Sequence, residues 1–426
     1  MYPNQELELV IIENFRKTVT EERARVSATL IWEDCERPAQ EVYFETTAEY
    51  GDDLCPNPNS WLLCSALAAM RYGEKRIAID APISPEIKDG LINSMKCLIN
   101  WHGGDRQVIS IEAPIATETL YPNKEPRAAG LFSGGIDALA MVRDNHLNFA
   151  AGHPRRIQDG ILVYGVLEGE LEQENERDPS FQNVINAVTT MAQDAGISLI
   201  QVYTNAYAHF RDLDRDYSFW RFEYHGSFLA AIAHAFAPRF AVASIASTYD
   251  FANLEPWGSH PLLDPLYSTT DLQVRHENAA LSRLEKTRLV GEWDVALKQL
   301  RVCNEKESYK EGNYNCGNCE KCVRTMTAFL SLGLLEQIAT FREKDVSKAK
   351  LVNTCYLSDN YEVNCYRELI EPLEQIGRYD LVDGIDQIID RYYERDLKGM
   401  VKRLDRTLFD GNLLNLGRKL KSNSKS

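Results

Sequence analysis

The sequence predicts an α/β protein. A parallel-sheet domain over residues 127–345 is expected between an N-terminal α+β domain at 1–126 and a C-terminal helical region at 346–426. Three observations carry that reading. From residue 128 onward, short apolar runs alternate with segments of helical period, the pattern of strands joined by crossover helices. The octet Leu131-Phe132-Ser133-Gly134-Gly135-Ile136-Asp137-Ala138 passes from an apolar approach through two glycines into an amphipathic segment. Beyond residue 327 the chain is charged and helical in period.

In chain order, residues 7–46 alternate with period two. Leu7, Leu9 and Ile11 form one run, Val26, Ala28, Leu30 and Trp32 another, and Val42 and Phe44 a third. A small antiparallel sheet follows. After the loop Cys55-Pro56-Asn57-Pro58, Leu62, Leu63, Ala66, Leu67 and Met70 share one face of a helix near 60–71. A strand at 76–79, a helix near 84–99 and a strand at 108–111 come next, and residues 113–127, with Pro114, Pro122 and Pro126, read as a linker. The strand at 128–132 then enters the glycine turn. Strands at 161–167, 199–203 and 240–245 alternate with helices at 181–195 and 226–236. The loop from Glu255 to Pro265 holds Trp257, Ser259, His260 and Asp264 on a proline-stiffened backbone. It reads equally as a substrate wall or as a connector with Trp257 in the core. A helix is expected over 277–290, and its Arg283, Lys286 and Arg288 would ordinarily form a solvated face. Apolar faces at Leu369, Leu373 and Ile376 and at Ile385, Ile388 and Ile389 predict helix-on-helix packing, within the chain or in a homodimer.

The formal charge of −16 argues against a general nucleic-acid surface. No apolar run approaches the ~20 residues that span a bilayer, and the first residues lack a signal-peptide pattern. A cytoplasmic protein without membrane contact is the expectation. The basic cluster Arg418, Lys419, Lys421 and Lys425 reads as a frayed tail.

Two stretches carry chemistry. At Ser133-Gly134-Gly135 adjacent glycines let backbone N–H groups converge at a helix start, a concavity suited to phosphate. At Cys316-Gly317-Asn318-Cys319-Glu320-Lys321-Cys322 three thiolates share one tight turn. A fourth soft ligand would close a tetrahedral Zn²⁺ site. Cys303 is the natural candidate, with Cys355, Cys365 or a histidine as weaker ones, and an iron–sulfur cluster is the competing occupant. Four thiolates leave no open position, so such a zinc is structural.

In this order the two stretches resemble the PP-loop ATP pyrophosphatases, whose domain is Rossmann-like and of the adenine nucleotide α-hydrolase type. Within them the similarity is to the 7-cyano-7-deazaguanine synthase family of queuosine biosynthesis, over about residues 127–330. The family's Ser-Gly-Gly-x-Asp-Ser loop is matched by Ser133, Gly134, Gly135 and Asp137, and its cysteine cluster by Cys303, Cys316, Cys319 and Cys322. Its phosphate-contacting lysine looks like Lys286 in Lys286-Thr287-Arg288-Leu289-Val290. The resemblance implies ATP bound along Leu131–Ala138 and by Lys286, with Ser133, Asp137 and Lys286 in catalytic roles, Asp137 toward Mg²⁺ or the loop's own N–H groups. It implies adenylation of a small carboxylate such as 7-carboxy-7-deazaguanine, then transfer to an amine.

The chain departs from the family at three places. Ala138 replaces the loop's closing serine. His225-Gly226-Ser227 stands for an Arg-Asn helix start, and Trp257-Gly258-Ser259-His260-Pro261 for Gly-Tyr-Pro-Asp-Cys-Arg. His225, Trp257, Ser259, His260 and Asp264 are therefore the candidate substrate residues. No glutaminase domain is visible, so free ammonia or another amine is the acceptor. The extra regions allow a protein amine, and extended relatives of this kind are associated with bacterial defence. An RNA-modifying PP-loop enzyme and a non-catalytic nucleotide sensor are the alternatives.

Overall fold

The computed structural model describes residues 9–33, 37–122, 124–166, 179–214, 217–303 and 314–409. The basic cluster at 418–425 lies outside them. The chain divides into two compact units, Met1–Tyr314 and Asn315–Ser426.

Among the described residues, the first unit is built on one ten-stranded, mostly parallel sheet with helices on it. Its N-terminal part runs β1 (Leu9–Val19), β2 (Arg23–Trp32), β3 (Gln40–Thr47), α1 (Pro58–Tyr72), β4 (Arg76–Ile79), α2 (Pro85–His102) and β5 (Ser110–Glu112). The remainder runs β6 (Ala128–Leu131), α3 (Ile136–Asn148), β7 (Ile157–Tyr164), α4 (Pro179–Ala195), β8 (Ser198–Thr204), α5 (His225–Ala235), β9 (Val242–Ala246), β10 (Gln273–Glu277), α6 (Arg283–Gly291) and α7 (Asp294–Gln299). The strand order is β10-β9-β6-β7-β8-β3-β2-β1-β4-β5.

Two expectations change here. The antiparallel sheet expected at the N-terminus forms, but it does not close on itself. β3 pairs with β8 at Phe44↔Thr204 and Glu45↔Tyr203, so residues on both sides of the expected 126/127 boundary share one sheet and one core. The linker is pinned as well. Lys124 Nζ donates to the carbonyls of Ala237 and Phe240 at 2.7 and 2.5 Å and to that of Asp271. The second change is at 277–290. Glu277 ends a strand, and the helix begins only after Ser282, whose hydroxyl accepts from Glu285 N–H while the Glu285 carboxylate accepts from Ser282 N–H. That reciprocal pair satisfies two N–H groups a helix start leaves bare.

The order matters for function. From β6 the chain steps outward through β7 and β8, then crosses back to place β9 on β6's other side. The connections after β6 and after β9 therefore diverge, and a notch opens between the carboxyl ends of these two strands. In open α/β sheets this switch point is where ligands bind. α3 packs on α6 and α4 on α7, whereas α1 packs on α5 and α2, which gives a helical layer to each face.

The second unit is helical: α8 (Glu320–Ser331), α9 (Lys348–Thr354), α10 (Asn360–Arg367), α11 (Ile370–Gln375) and α12 (Tyr379–Phe409). Leu369, Leu373, Ile385, Ile388 and Ile389 are buried as their periodicity predicts, whereas Ile376 is 46% exposed. No helix among the described residues is long and apolar enough to cross a membrane.

Candidate functional site

The glycine turn lies at the carboxyl end of β6, in the notch. Phe132 N–H still bonds Ile161 O at 2.8 Å, and the chain then leaves the sheet. Gly134 has φ +78°, where L side chains are strained, and a Cβ there would stand 3.0 Å from Val188 and 3.1 Å from Met191 of α4. Gly135 caps α3 with no side-chain bond. The first N–H groups of α3 therefore face the turn without a capping side chain. Ser133 is exposed. Leu131, Phe132, Ile136 and Ala138 are buried, so they offer a ligand only their backbone.

Asp137, in the first turn of α3, draws two cations from α6. Arg283 Nη1 donates to both carboxylate oxygens at 2.8 Å, and Lys286 Nζ stands 3.7 Å from Oδ1. Lys286 is 1% exposed, and its ammonium also donates to Ser247 O at 2.7 Å, just past the end of β9. The expected solvated face is thus divided. Arg283 and Lys286, one helical turn apart, point inward, while Arg288 is exposed. Two cations thus meet the Asp137 carboxylate beside a helix start that no side chain caps. The N–H groups and the dipole of a helix start attract anions, so the notch is suited to one.

A second cluster gathers the other candidate residues. Asp264 is fully buried and accepts hydrogen bonds from Ser259 Oγ at 2.6 Å and from the His260 backbone N–H at 3.3 Å. His276 Nδ1 lies 2.7 Å from Asp264 Oδ2. His260 Nδ1 accepts from Leu262 N–H, and its ring packs edge-on to Trp101 at 4.9 Å. Burial pushes the imidazoles of His225 and His260 below their ordinary range, so both are neutral near pH 7. Trp257 is half-buried, with Phe222, Tyr249 and His225 against its ring at 5.4, 5.3 and 5.8 Å. Ser259, His260 and His225 therefore gather about the buried Asp264 carboxylate, and Trp257 joins them through His225. His276 belongs with them and was missed, because the sequence reading assigned no element to the segment before residue 277 that carries it.

The start of α5 explains why glycines stand here. The segment Trp220–Tyr224 is π-helical, which widens the helix by one residue. Gly258 fills the gap: its N–H donates to Arg221 O at 2.9 Å and its C=O accepts from Gly226 N–H at 3.0 Å. A Cβ on Gly226 would lie 2.4 Å from Gly258 O and 2.6 Å from Asp264 Oδ1, both rigid. Gly226→Ala is expected to cost about 1–3 kcal/mol by overpacking, read as a lower urea midpoint; an unchanged midpoint would contradict the close approach.

The four cysteine sulfurs of Cys303, Cys316, Cys319 and Cys322 lie within 4.8 Å of one another. The Cys316 and Cys322 sulfurs are 3.8 Å apart, the edge of a tetrahedron with metal–sulfur bonds of about 2.3 Å. Gly317, at φ +70°, turns the backbone so that Asn318 N–H donates to Cys316 Sγ at 3.4 Å. The donor set and spacing fit a metal ion such as zinc, held by four thiolates with no open position. Cys355 lies outside this group of four. Tyr366 donates to its sulfur at 2.9 Å, and burial pushes its thiol up to about 12.

A shallow depression of about 220 Å³ is lined by Asp144, Leu281, Glu285, Arg288, Leu289 and Glu292, none of which belongs to either cluster. Comparison of the chain with protein-family models, with curated proteins and with solved structures finds no match.

Proposed function

We propose that the protein is an ATP-dependent ligase of the PP-loop class that adenylates a small carboxylate, releases pyrophosphate and passes the acyl group to an amine. The observation that carries the reading is buried Lys286, paired with Arg283 on Asp137 beside the uncapped α3 start at the β6/β9 switch point. A carboxylate does not acylate amines at useful rates because oxide is a poor leaving group, whereas AMP is a good one. The protein must hold the triphosphate so that the carboxylate attacks the α-phosphorus, and must stabilise the charge growing on pyrophosphate. The N–H groups from Ser133 to Asp137, the Ser133 hydroxyl and the Lys286 ammonium suit that second task. Arg283 is the added cation that the sequence reading left on a solvated face.

Both oxygens of Asp137 already face Arg283, so its part is to aim the two cations. Mg²⁺ binds through substrate phosphates and few protein carboxylates and would arrive on the triphosphate. Zinc at the four cysteines is a structural element in this reading, supplying rigidity rather than chemistry. The His225–Trp257–Ser259–His260–Asp264 cluster is the candidate wall for the carboxylate substrate, 7-carboxy-7-deazaguanine or a similar heterocyclic acid. Ammonia would give an amide or nitrile, and a protein amine a conjugate, as in a bacterial defence role.

Ala138 favours a second reading, a nucleotide sensor without turnover, since it removes a hydroxyl from the loop. One incubation separates the two. With ATP, Mg²⁺, 7-carboxy-7-deazaguanine and ammonium, the ligase yields AMP and pyrophosphate in equal amounts. ADP and phosphate would overturn adenylation, and tight ATP binding without products would establish the sensor.

A further inference from the structure

His276 is on β10, one residue before its end, with its side chain 3% exposed. Its Nδ1 lies 2.7 Å from Asp264 Oδ2, an oxygen that also accepts from Ser259 Oγ at 2.6 Å. A carboxylate accepts, so Nδ1 carries a proton, and in the neutral form of the ring Nε2 holds a lone pair. Nε2 is buried and has no hydrogen-bond partner among the described residues. An unsatisfied buried acceptor costs about 1–3 kcal/mol, which a bound group with a proton to donate would recover. The two other imidazoles beside Asp264, His225 and His260, are held neutral by burial and supply no cation to compete for that carboxylate.

The sheet register places the backbone of His276 near the glycine turn. His276 is level with Ile245 of β9, and Ser244 of β9 is level with Gly130 of β6. His276 and Leu131 therefore sit two strand spacings apart, roughly 10 Å, a gap one small-molecule substrate can bridge. The loop after β9 ties the two clusters together. Its Ser247 carbonyl holds Lys286, and two residues on Tyr249 packs edge-on against Trp257 at 5.3 Å.

We propose that His276 is the general base for acyl transfer, a step that rests on the adenylation reading above. The amine nitrogen bonds to the acyl carbon of the adenylate, and the acyl C–O bond to AMP breaks, its electron pair leaving with AMP. The proton shed by the nitrogen passes to His276 Nε2. Asp264 orients the ring and stabilises the imidazolium, and Ser259 helps to fix Asp264. The amine that attacks the adenylate has an N–H to donate to that lone pair and must lose a proton on attack. Base catalysis of this kind contributes about 10²–10⁴-fold.

His276→Asn tests this, because its amide nitrogen falls near the place of Nδ1 and keeps the bond to Asp264 while deleting Nε2. Two reactions are read on the full-length protein: exchange of labelled pyrophosphate into ATP dependent on 7-carboxy-7-deazaguanine, and formation of the amide from ammonium. H276N should hold exchange within about 3-fold while amide formation falls about 10²–10⁴-fold. Unchanged amide formation would overturn the assignment, and so would an equal fall in both reactions, which is what a purely structural role produces. If H276N melts well below the wild type, His276→Gln is read by the same pair of assays. Absence of exchange in the wild type would instead remove the adenylation reading, and the base with it.

Discussion

Lys286→Met is expected to lower carboxylate-dependent pyrophosphate exchange by about 10²–10³-fold, the range for removing one preorganised donor from a developing anion. Methionine keeps most of the buried stem, and Asp137 keeps Arg283 at 2.8 Å, so the carboxylate is not orphaned. Replacing a buried ionic group by an apolar one of similar volume is often near neutral for stability. Ser247 O loses a donor, worth about 1 kcal/mol. A large loss of turnover with a small shift in melting temperature is therefore the signature. Exchange retained within a few-fold would show that the cations of α6 do not serve the phosphates and would leave Asp137–Arg283–Lys286 as a structural clasp.

The second large effect concerns the cysteines. The purified protein is expected to hold one zinc per chain, and Cys319→Ser to lose it. Structural zinc binds small domains with about 10–16 kcal/mol of apparent free energy, and that binding energy is also folding energy. Cys319 caps α8 and Cys322 lies in its first turn, so losing the metal releases the start of that helix. A fall of the melting temperature by ten degrees or more, on the order of a few kcal/mol, is expected for C319S and for wild type held with a strong chelator. A metal-free protein with an unchanged transition would sink the structural zinc, and an iron–sulfur absorption band would replace it with a cluster.

Much of this was legible in the sequence because it is local. The cysteine spacing named three of the four residues and made Cys303 the first choice for the fourth, and the glycine octet announced a strand, a turn and a helix start. What escaped depends on partners remote in sequence. Gln273–Glu277 alternates as a strand should, with Val274 and His276 facing inward and Gln273, Arg275 and Glu277 polar, but His276 broke the apolar code for an inward position. Arg283 and Lys286 are spaced three apart on one helix face, a cue available beforehand, yet only Asp137 across the notch shows which way they turn. Gly226 opens an expected helix and Gly258 lies in the proline-stiffened loop, and nothing local in the sequence says that their backbones touch.

The short seam between β3 and β8 has a consequence for how the chain can be cut. Two register pairs join the strands, backed by Thr46 Oγ1 donating to Gln201 O at 2.8 Å and by Asn205 Oδ1 and Nδ2 bonding Tyr43 N–H and Glu41 O. A fragment beginning after residue 126 would leave the flank of β8 unpaired, with Val202 and Tyr203 in a strand now open to other chains. Bare edges of this kind recruit further strands. Such a fragment is an aggregation hazard even if every nucleotide-facing group is intact. The N-terminal residues thus act as a permanent edge guard, and insolubility on truncation would say nothing about whether they touch a substrate.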